Sequence, residues 1–382
     1  TFAGHAGELY DRCRNYDLGA EQRTNVSALS PWIRHRLITE AEVLDVILGT
    51  HTFQAAERFV HEIFWRTYFK GWLEQHPGVW PAYQAGLRRQ IKSVSKDRRL
   101  AANYAQAMAG QTGIDCFDVW ADELVRTGYL HNHARMWFAS IWIFTLRLPW
   151  ELGADFFLRH LMDGDPASNT LAWRWVAGIQ TKGRPYIAGA ANISKFTNQK
   201  FCPMHQLATK VDPKIDPVDH LLRPIPDATQ AKDIQSDFLL LVTEDDMHIA
   251  DALSHSPIAT IGALATEGRS PNPLGEIAQH FAATAMYDAC GDHPIISHCA
   301  WSDDIIRACA RHKTKTVVTG YAPVGPIATA LKNARSDLTA AGIRLLLIRR
   351  DFDTVAWPHA TKGFFAMKKA IPKILETLNF NL

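Results

Sequence analysis

Apolar residues recur at helical spacing through the first half of the chain and change to short, dense, β-rich runs in the second. Residues 8–20 read as a short helix running into a loop. Residues 40–50 and 53–75 read as helices, the second carrying Phe59, Phe64, Trp65, Tyr68, Phe69 and Trp72 at helical spacing. Ser30 and Pro31 read as the N-cap and first position of another helix, 116–127 as a helix leading into Gly128, and 131–147 as a further helix. The stretch 210–234 contains Pro213, Pro217, Pro224 and Pro226 with little periodicity, and reads as a linker. Beyond it, strands expected at 238–243, 258–264, 294–297, 316–319 and 343–348 alternate with helices near 246–254, 274–288, 302–312, 324–341 and 362–378. Alternation of this kind predicts a parallel sheet with helices on both faces. The expected architecture is a mostly α-helical domain over 1–209, the linker 210–234, and an α/β parallel-sheet domain over 235–382.

Some helical faces carry residues that make poor core filler. Asn132, Arg135 and Met136 stand at i, i+3 and i+4, placing an amide, a fixed cation and a thioether on one face. Glu62, Trp65 and Arg66 repeat that geometry, and two such faces can line one polar, aromatic pocket. Read by spacing alone, Trp65 suits a hydrophobic core better than a ligand contact. The pair Asp163 and Asp165 has no His or third acid close by in sequence, so a metal site is not expected. Free amides at the Ser30–Pro31 helix start suit an anion, although the spacing alone favours a plain capped helix, because Ser-Pro caps are common. In the α/β half, Gly320 to Gly325 lies where such sheets bind ligands, although a tight strand-to-helix turn explains it too. No GxGxxG fingerprint accompanies the Rossmann-like pattern.

With 382 residues and 47% hydrophobic content, the chain can bury a sizeable core. Its six cysteines, Cys13, Cys116, Cys202, Cys290, Cys299 and Cys309, form no CxxC pair, which favours a reducing, cytoplasmic setting. The absence of a long apolar run or of a basic-then-apolar start leads to the expectation of a soluble protein without a membrane partner. Residues 1–211 hold 24 Lys and Arg against 19 Asp and Glu, whereas 212–382 hold 17 against 20. The basic excess thus falls on the helical half. Part of it is a run of Arg88, Arg89, Lys92, Lys96, Arg98 and Arg99 interrupted by one acid, Asp97, which is either a solvated face or a grip for phosphates.

Four ordered motifs go further than composition. Ser27-Ala-Leu29-Ser30-Pro31, Glu62-x-x-Trp65-Arg66, Asn132-x-x-Arg135-Met136 and Asp163-Gly-Asp165-x-x-x-Asn169-x-x-x-Trp173-x-Trp175 follow one another within about residues 10–200. Together they resemble the flavin-binding catalytic domain of the DNA photolyase and cryptochrome family. The resemblance implies FAD as cofactor, DNA containing pyrimidine dimers as partner, and a carbon–carbon lyase that splits cyclobutane dimers under blue light. It implies nothing about protein partners. In that family an α/β antenna domain precedes the flavin domain. Here a domain of similar class follows it, so a rearranged antenna-like domain is expected, and a second chromophore is left open.

The resemblance also implies roles. Ser27, Leu29 and Ser30 take the flavin diphosphate, with Tyr16 as a further candidate; Val26 stands where threonine is frequent, so a hydroxyl contact is missing there or comes from Thr24. Arg66 serves the flavin or a nearby phosphate, Arg135 pairs with Asp163, Asp165 meets the isoalloxazine and ribityl region, and Asn169 sits by flavin N5. Glu62 accepts from base edges, Trp65 and Trp175 flank the extruded lesion, and Asn132 and Met136 face it. Asn132 and Met136 match the cyclobutane-dimer pattern rather than the paired histidines of animal (6-4) photolyases, and His133 replaces a frequent arginine. Trp173 is the first electron donor to the flavin and Trp150 a relay partner, whereas the outermost relay position aligns near Asp97, leaving Trp72, Trp80, Trp120, Trp137 and Trp142 as substitutes. The alternative reading is a cryptochrome-like photoreceptor that photoreduces its flavin without repairing DNA. A light-independent flavin oxidoreductase is a more distant third.

Overall fold

A computed structural model describes residues 2–235 and 237–381. Thr1, Ser236 and Leu382, which the expected domain ranges include, lie outside the described residues. The chain forms two compact units that interleave in sequence. A helical unit comprises the chain up to Ala28 with Gly78–Leu221 and Gly275–Ala278; a sheet-bearing unit comprises Leu29–Pro77, Leu222–Leu274 and the chain from Gln279 onward.

The helical unit is built from Glu8–Cys13, Val79–Val94, Arg98–Met108, Asp115–Thr127, Asn132–Ser140, Trp150–His160, Pro166–Val176 and Ala190–Phe196. Its boundaries follow capping chemistry. Asp97 accepts from the Arg99 and Leu100 amides and starts one helix; Gly128, at φ 64°, ends another in the left-handed conformation that glycine adopts without strain. The expected helix over 131–147 is regular only to Ser140. Ile141–Thr145 widens into a π turn, and Leu146 bonds back five residues to the Ile141 carbonyl at 2.9 Å. Fully buried Phe117, Trp120, Trp137, Phe138, Trp142 and Trp173 fill the core. Gly153 makes room for one of them, because a Cβ there would collide with the Trp173 ring and lie 2.9 Å from Trp142.

The sheet-bearing unit holds five parallel strands in the order β3-β2-β1-β4-β5: β1 Leu239–Thr243, β2 Ala259–Ala263, β3 Ile295–Ile296, β4 Thr316–Gly320 and β5 Arg344–Ile348. Strand alternation explains its two cores. Leu239 and Leu241 of β1 join one apolar cluster with Val317, Ile327 and Leu331, while Leu240 and Val242 join another with Val318 and Met286. The strands lie where periodicity predicts them. The helix expected over 246–254 is reduced to one 3-10 turn, Ile249–Ala252, and the short Asp351–Ala356 helix was not expected.

Glu40–Thr50 and Phe53–Gln75 pack in this unit. Thr39 and Glu42 form a reciprocal capping box for the first, and Thr52 caps the second. Gly71 lets the second helix approach Trp357, whose backbone and side-chain atoms would stand 2.9 Å from an added Cβ.

Candidate functional site

In the helical unit, His131 sets the start of the Asn132–Ser140 helix. Its Nδ1 accepts from the His133 amide at 3.2 Å, and its Nε2 lies 3.0 Å from the Arg14 carbonyl. Both bonds together require the neutral Nε2–H tautomer. Burial favours the same state and lowers the His131 pKa to about 4. Asn132 is exposed, and Arg135 and Met136 are half-buried on the same face. The Arg135 guanidinium is held by two parallel bonds to Asp163, 3.1 and 3.0 Å, and by the Leu130 carbonyl at 2.8 Å. Such a fork fixes the plane of the cation.

The next turn follows directly. Asp165 is buried and N-caps Pro166–Val176, accepting from the Ser168 amide at 2.7 Å. Asn169, 8% exposed, donates Nδ2 to the Ala154 carbonyl at 2.7 Å, which aims its amide oxygen away from that bond. Ser168, Ala172 and Trp175 are half-buried and share one face of an otherwise buried helix. Trp175 stacks on Tyr186 with centroids 5.4 Å apart. Trp173 is buried and forms ring pairs with Phe157 at 5.1 Å and Trp142 at 6.2 Å. Trp150 pairs with Tyr83 at 5.6 Å, and Tyr83 with Trp80 at 5.3 Å. Trp173 and Trp150 therefore form no direct ring pair among the described residues. Trp142 lies between their surroundings, because its Nε1 donates to the Pro149 carbonyl at 2.9 Å.

Tyr16 is half-buried, edge-on to Phe196 at 5.3 Å, and lines a cleft of about 540 Å³ with Ser194, Lys195, Asn198, Gln199 and Cys202. Asn25 ties the loop before Ser27 to the Cys13 and Tyr16 carbonyls, each at 2.8 Å. Ala28 has φ 51°, a left-handed conformation that a non-glycine residue adopts only where its surroundings enforce it. The six cations between Arg88 and Arg99 are all exposed.

In the sheet-bearing unit, the expectation of Ser30 as N-cap is corrected. Leu29 is the capping residue, Ser30 the first helical residue of Ser30–Arg34, and the cap has no side-chain bond. The reason is conformational: Leu29 already has helical angles, so the turn begins one residue early. On Phe53–Gln75, the residues between Phe59 and Lys70 that are not buried are Glu62, Trp65, Arg66 and Phe69. They stand at i, i+3, i+4 and i+7, a single half-open stripe. Trp65 carries a stacked partner that local sequence gave no means of finding. Phe364, more than two hundred residues downstream, lies with its centroid 3.7 Å from that of Trp65 and its plane tilted by 14°.

The carboxyl end of the sheet has different chemistry. The loop after β4 is bound by the chain itself: Tyr321 Oη and the Val324 amide donate to the two oxygens of Glu74, each at 2.6 Å. Burial raises the Glu74 pKa. Residues following β1 are paired as well, Asp245 with Arg34 at 2.6 Å, Glu244 with Arg269 at 3.1 Å, and Asp246 with both Arg36 and Arg350. Arg36 also meets Glu40 at 3.3 Å and Asp353 at 2.5 Å, all three almost fully buried.

The donor set in the helical unit suits a flavin. Asn169 keeps an amide oxygen as acceptor for a ring N–H, and the Ser168 hydroxyl is a buried polar atom without a hydrogen-bond partner one residue away. Arg135 supplies a fixed cation for an electron-rich ring or its phosphates.

Residues 59–238 match a family model described as the FAD binding domain of DNA photolyase. A deoxyribodipyrimidine photo-lyase of Streptomyces griseus is 33% identical over 160 residues, which cover 42% of this chain and 33% of that protein. One from Alkalihalophilus pseudofirmus is 28% identical over 176 residues, 43% of this chain and 33% of the relative. A cryptochrome DASH of Natronomonas pharaonis is 31% identical over 181 residues, 46% and 36%. The matched region thus spans about a third of the length of these relatives. A bacterial class III photolyase of Agrobacterium tumefaciens shares 26% identity at a TM-score of 0.42, over 52% of this chain and 40% of that structure. No helix among the described residues is long and apolar enough to cross a membrane.

Proposed function

We propose, from the match of residues 59–238 to the FAD binding domain of DNA photolyase, that the protein repairs cyclobutane pyrimidine dimers in DNA. Bound, reduced FAD would supply the light-driven one-electron chemistry that opens the cyclobutane ring. The chain provides placement and electrostatics. Arg135, held in plane by Asp163, and Arg66 offset negative charge on the flavin and its phosphates. Tyr16, Ser27, Leu29 and Ser30 receive the diphosphate. Asp165 orders the turn that presents Asn169, whose amide oxygen accepts a proton-bearing ring nitrogen.

An extruded dimer stacks on Trp65 and Trp175, Glu62 accepts from its base edges, and Asn132 and Met136 bound it. Stacking of this kind contributes roughly 1–3 kcal/mol per base, comparable with the few kcal/mol needed to unstack a nucleotide; photolyases are themselves named among the base-flipping enzymes to which that cost applies. Trp173 would be the first electron donor to a bound flavin, with Trp150 as the expected onward partner. The exposed cations between Arg88 and Arg99 hold DNA phosphates.

One observation carries this reading: between Phe59 and Lys70 the half-open positions are Glu62, Trp65, Arg66 and Phe69, a single stripe on a helix otherwise buried over that span. That stripe brings together the indole, carboxylate and guanidinium that a polar, aromatic pocket for an extruded base needs. The test is repair of a thymine-dimer oligonucleotide by FAD-loaded, reduced protein in blue light and in darkness. Light-dependent recovery of intact thymines is expected, and its absence with photoreducible flavin bound would reject the reading. The similarity to a cryptochrome DASH supports a second reading, a photoreceptor. That reading expects flavin photoreduction through Trp173 and no recovered thymines.

A further inference from the structure

The Phe364–Trp65 stack has no place in the motifs that point to repair. Phe364 opens the Phe364–Thr377 helix and is 6% exposed. Besides Trp65 it meets Tyr68 at 5.6 Å and His61 at 6.2 Å, both edge-on. Lys368, one turn on, reaches Glu57 at 3.4 Å and fastens the same pair of helices. At about 3.6 residues per turn, His61, Trp65 and Tyr68 form one strip of Phe53–Gln75, and Glu62, Phe69 and Arg66 occupy the adjoining strip. His61 and Tyr68 are buried, whereas Glu62, Arg66 and Phe69 are half-open. Phe364 therefore contacts Trp65 from its buried side, away from Glu62 and Arg66.

We infer that Phe364 is a positioning residue for Trp65: a backing ring that fixes the indole plane so that its open side can receive an extruded base. This rests on the proposed repair function. An indole on a helix surface has two side-chain torsions to lose when a base stacks on it, and a ring already stacked behind it removes that freedom beforehand. Trp65 also has Tyr68 edge-on at 5.7 Å and Phe69 tilted by 32° at 5.4 Å, so Phe364 is the neighbour that lies parallel to the indole, and the base is assigned to the face opposite it. Phe364 touches no reacting atom and acts through Trp65.

The test compares dimer-containing with intact oligonucleotide binding in FAD-loaded full-length protein. F364A should lose about tenfold of the preference for dimer DNA, with intact-DNA affinity and flavin content unchanged. F364Y, which keeps the ring, should stay within about twofold of wild type. Should F364A fail to fold, F364L replaces it, keeping bulk without a ring, with the same loss expected. An unchanged or increased preference in the ring-less variant overturns the inference; an increase would mean that Phe364 blocks the platform. If wild-type protein itself shows no dimer preference, the repair reading fails, and the backing contact is decided separately by fluorine NMR of 5-fluorotryptophan-labelled protein. There the Trp65 resonance, assigned by its loss in W65F, should shift in F364A, and an unshifted resonance overturns the contact.

Discussion

The turn from Asp163 to Asn169 and the carboxyl end of the β1–β4 pair both gather buried polar groups, the first around one ion pair and the second around several, and each keeps some polar atoms without a hydrogen-bond partner: the Ser168 hydroxyl in the turn, and Thr243 Oγ1, Thr319 Oγ1 and Arg269 Nε and Nη1 at the sheet. At the sheet, where doubly wound folds usually bind ligands beyond the strand ends, Glu74 takes the Val324 amide and the Tyr321 hydroxyl, and Arg36, Arg350, Arg34 and Arg269 take the acids after β1. In the helical turn, Asn169 uses only its donor end internally, and the Ser168 hydroxyl has no protein partner. The general lesson is that fold topology marks a place where ligands tend to bind, while what a ligand can meet is set atom by atom: an amide oxygen and a hydroxyl in the helical turn, two threonine hydroxyls and part of one guanidinium at the sheet.

The strongest way to break this contrast is at Arg36. If the sheet end is internally neutralised core, R36M should cost about 3–5 kcal/mol in urea melts, because Asp353, Glu40 and Asp246 lose a shared buried cation. A loss below about 1 kcal/mol would show that the network is dispensable. Acid should act on the helical unit. His131 is buried neutral with its pKa lowered to about 4, against about 6.5 unfolded, so the unfolded state binds the extra proton between those values. Stability should fall by up to about 3 kcal/mol as pH drops through that window, and an H131N variant should show a shallower decline in melts at pH 7 and 5.

Smaller effects sharpen the functional side. W65A should weaken dimer-containing DNA by about 1–3 kcal/mol, roughly 5- to 150-fold, while leaving intact DNA unchanged in competition binding. Equal weakening of both would remove Trp65 from lesion recognition. Neutralising Arg89 and Lys92 should reduce the salt slope of DNA binding by about 1–2 without altering dimer preference; an unchanged slope would return that run to ordinary surface.

Periodicity made the Phe53–Gln75 helix and all five strands legible, since alternating and helical patterns are local and each element buries one side or both. The Asp163–Asn169 turn was legible through its motif, and the Arg135–Asp163 pair is present at bonding distance. What local reading could not supply are partnerships between distant positions. Arg36 with Asp353, Glu74 with Tyr321, and Trp65 with Phe364 are each separated by more than two hundred residues, and nothing near either member announces the other. The same limit explains the lost helix after β1. The Met247 amide donates to the His35 carbonyl at 3.0 Å, a long-range backbone bond where the expected helix would have begun.

Gly153 carries a consequence for how this chain can change over time. A methyl group at that position would run into the Trp173 ring and crowd Trp142. Any lineage that gains a side chain at 153 must first shrink or move the tryptophan at 173. The two positions are thus bound to change together, and a glycine with no side chain guards the place of a large buried ring.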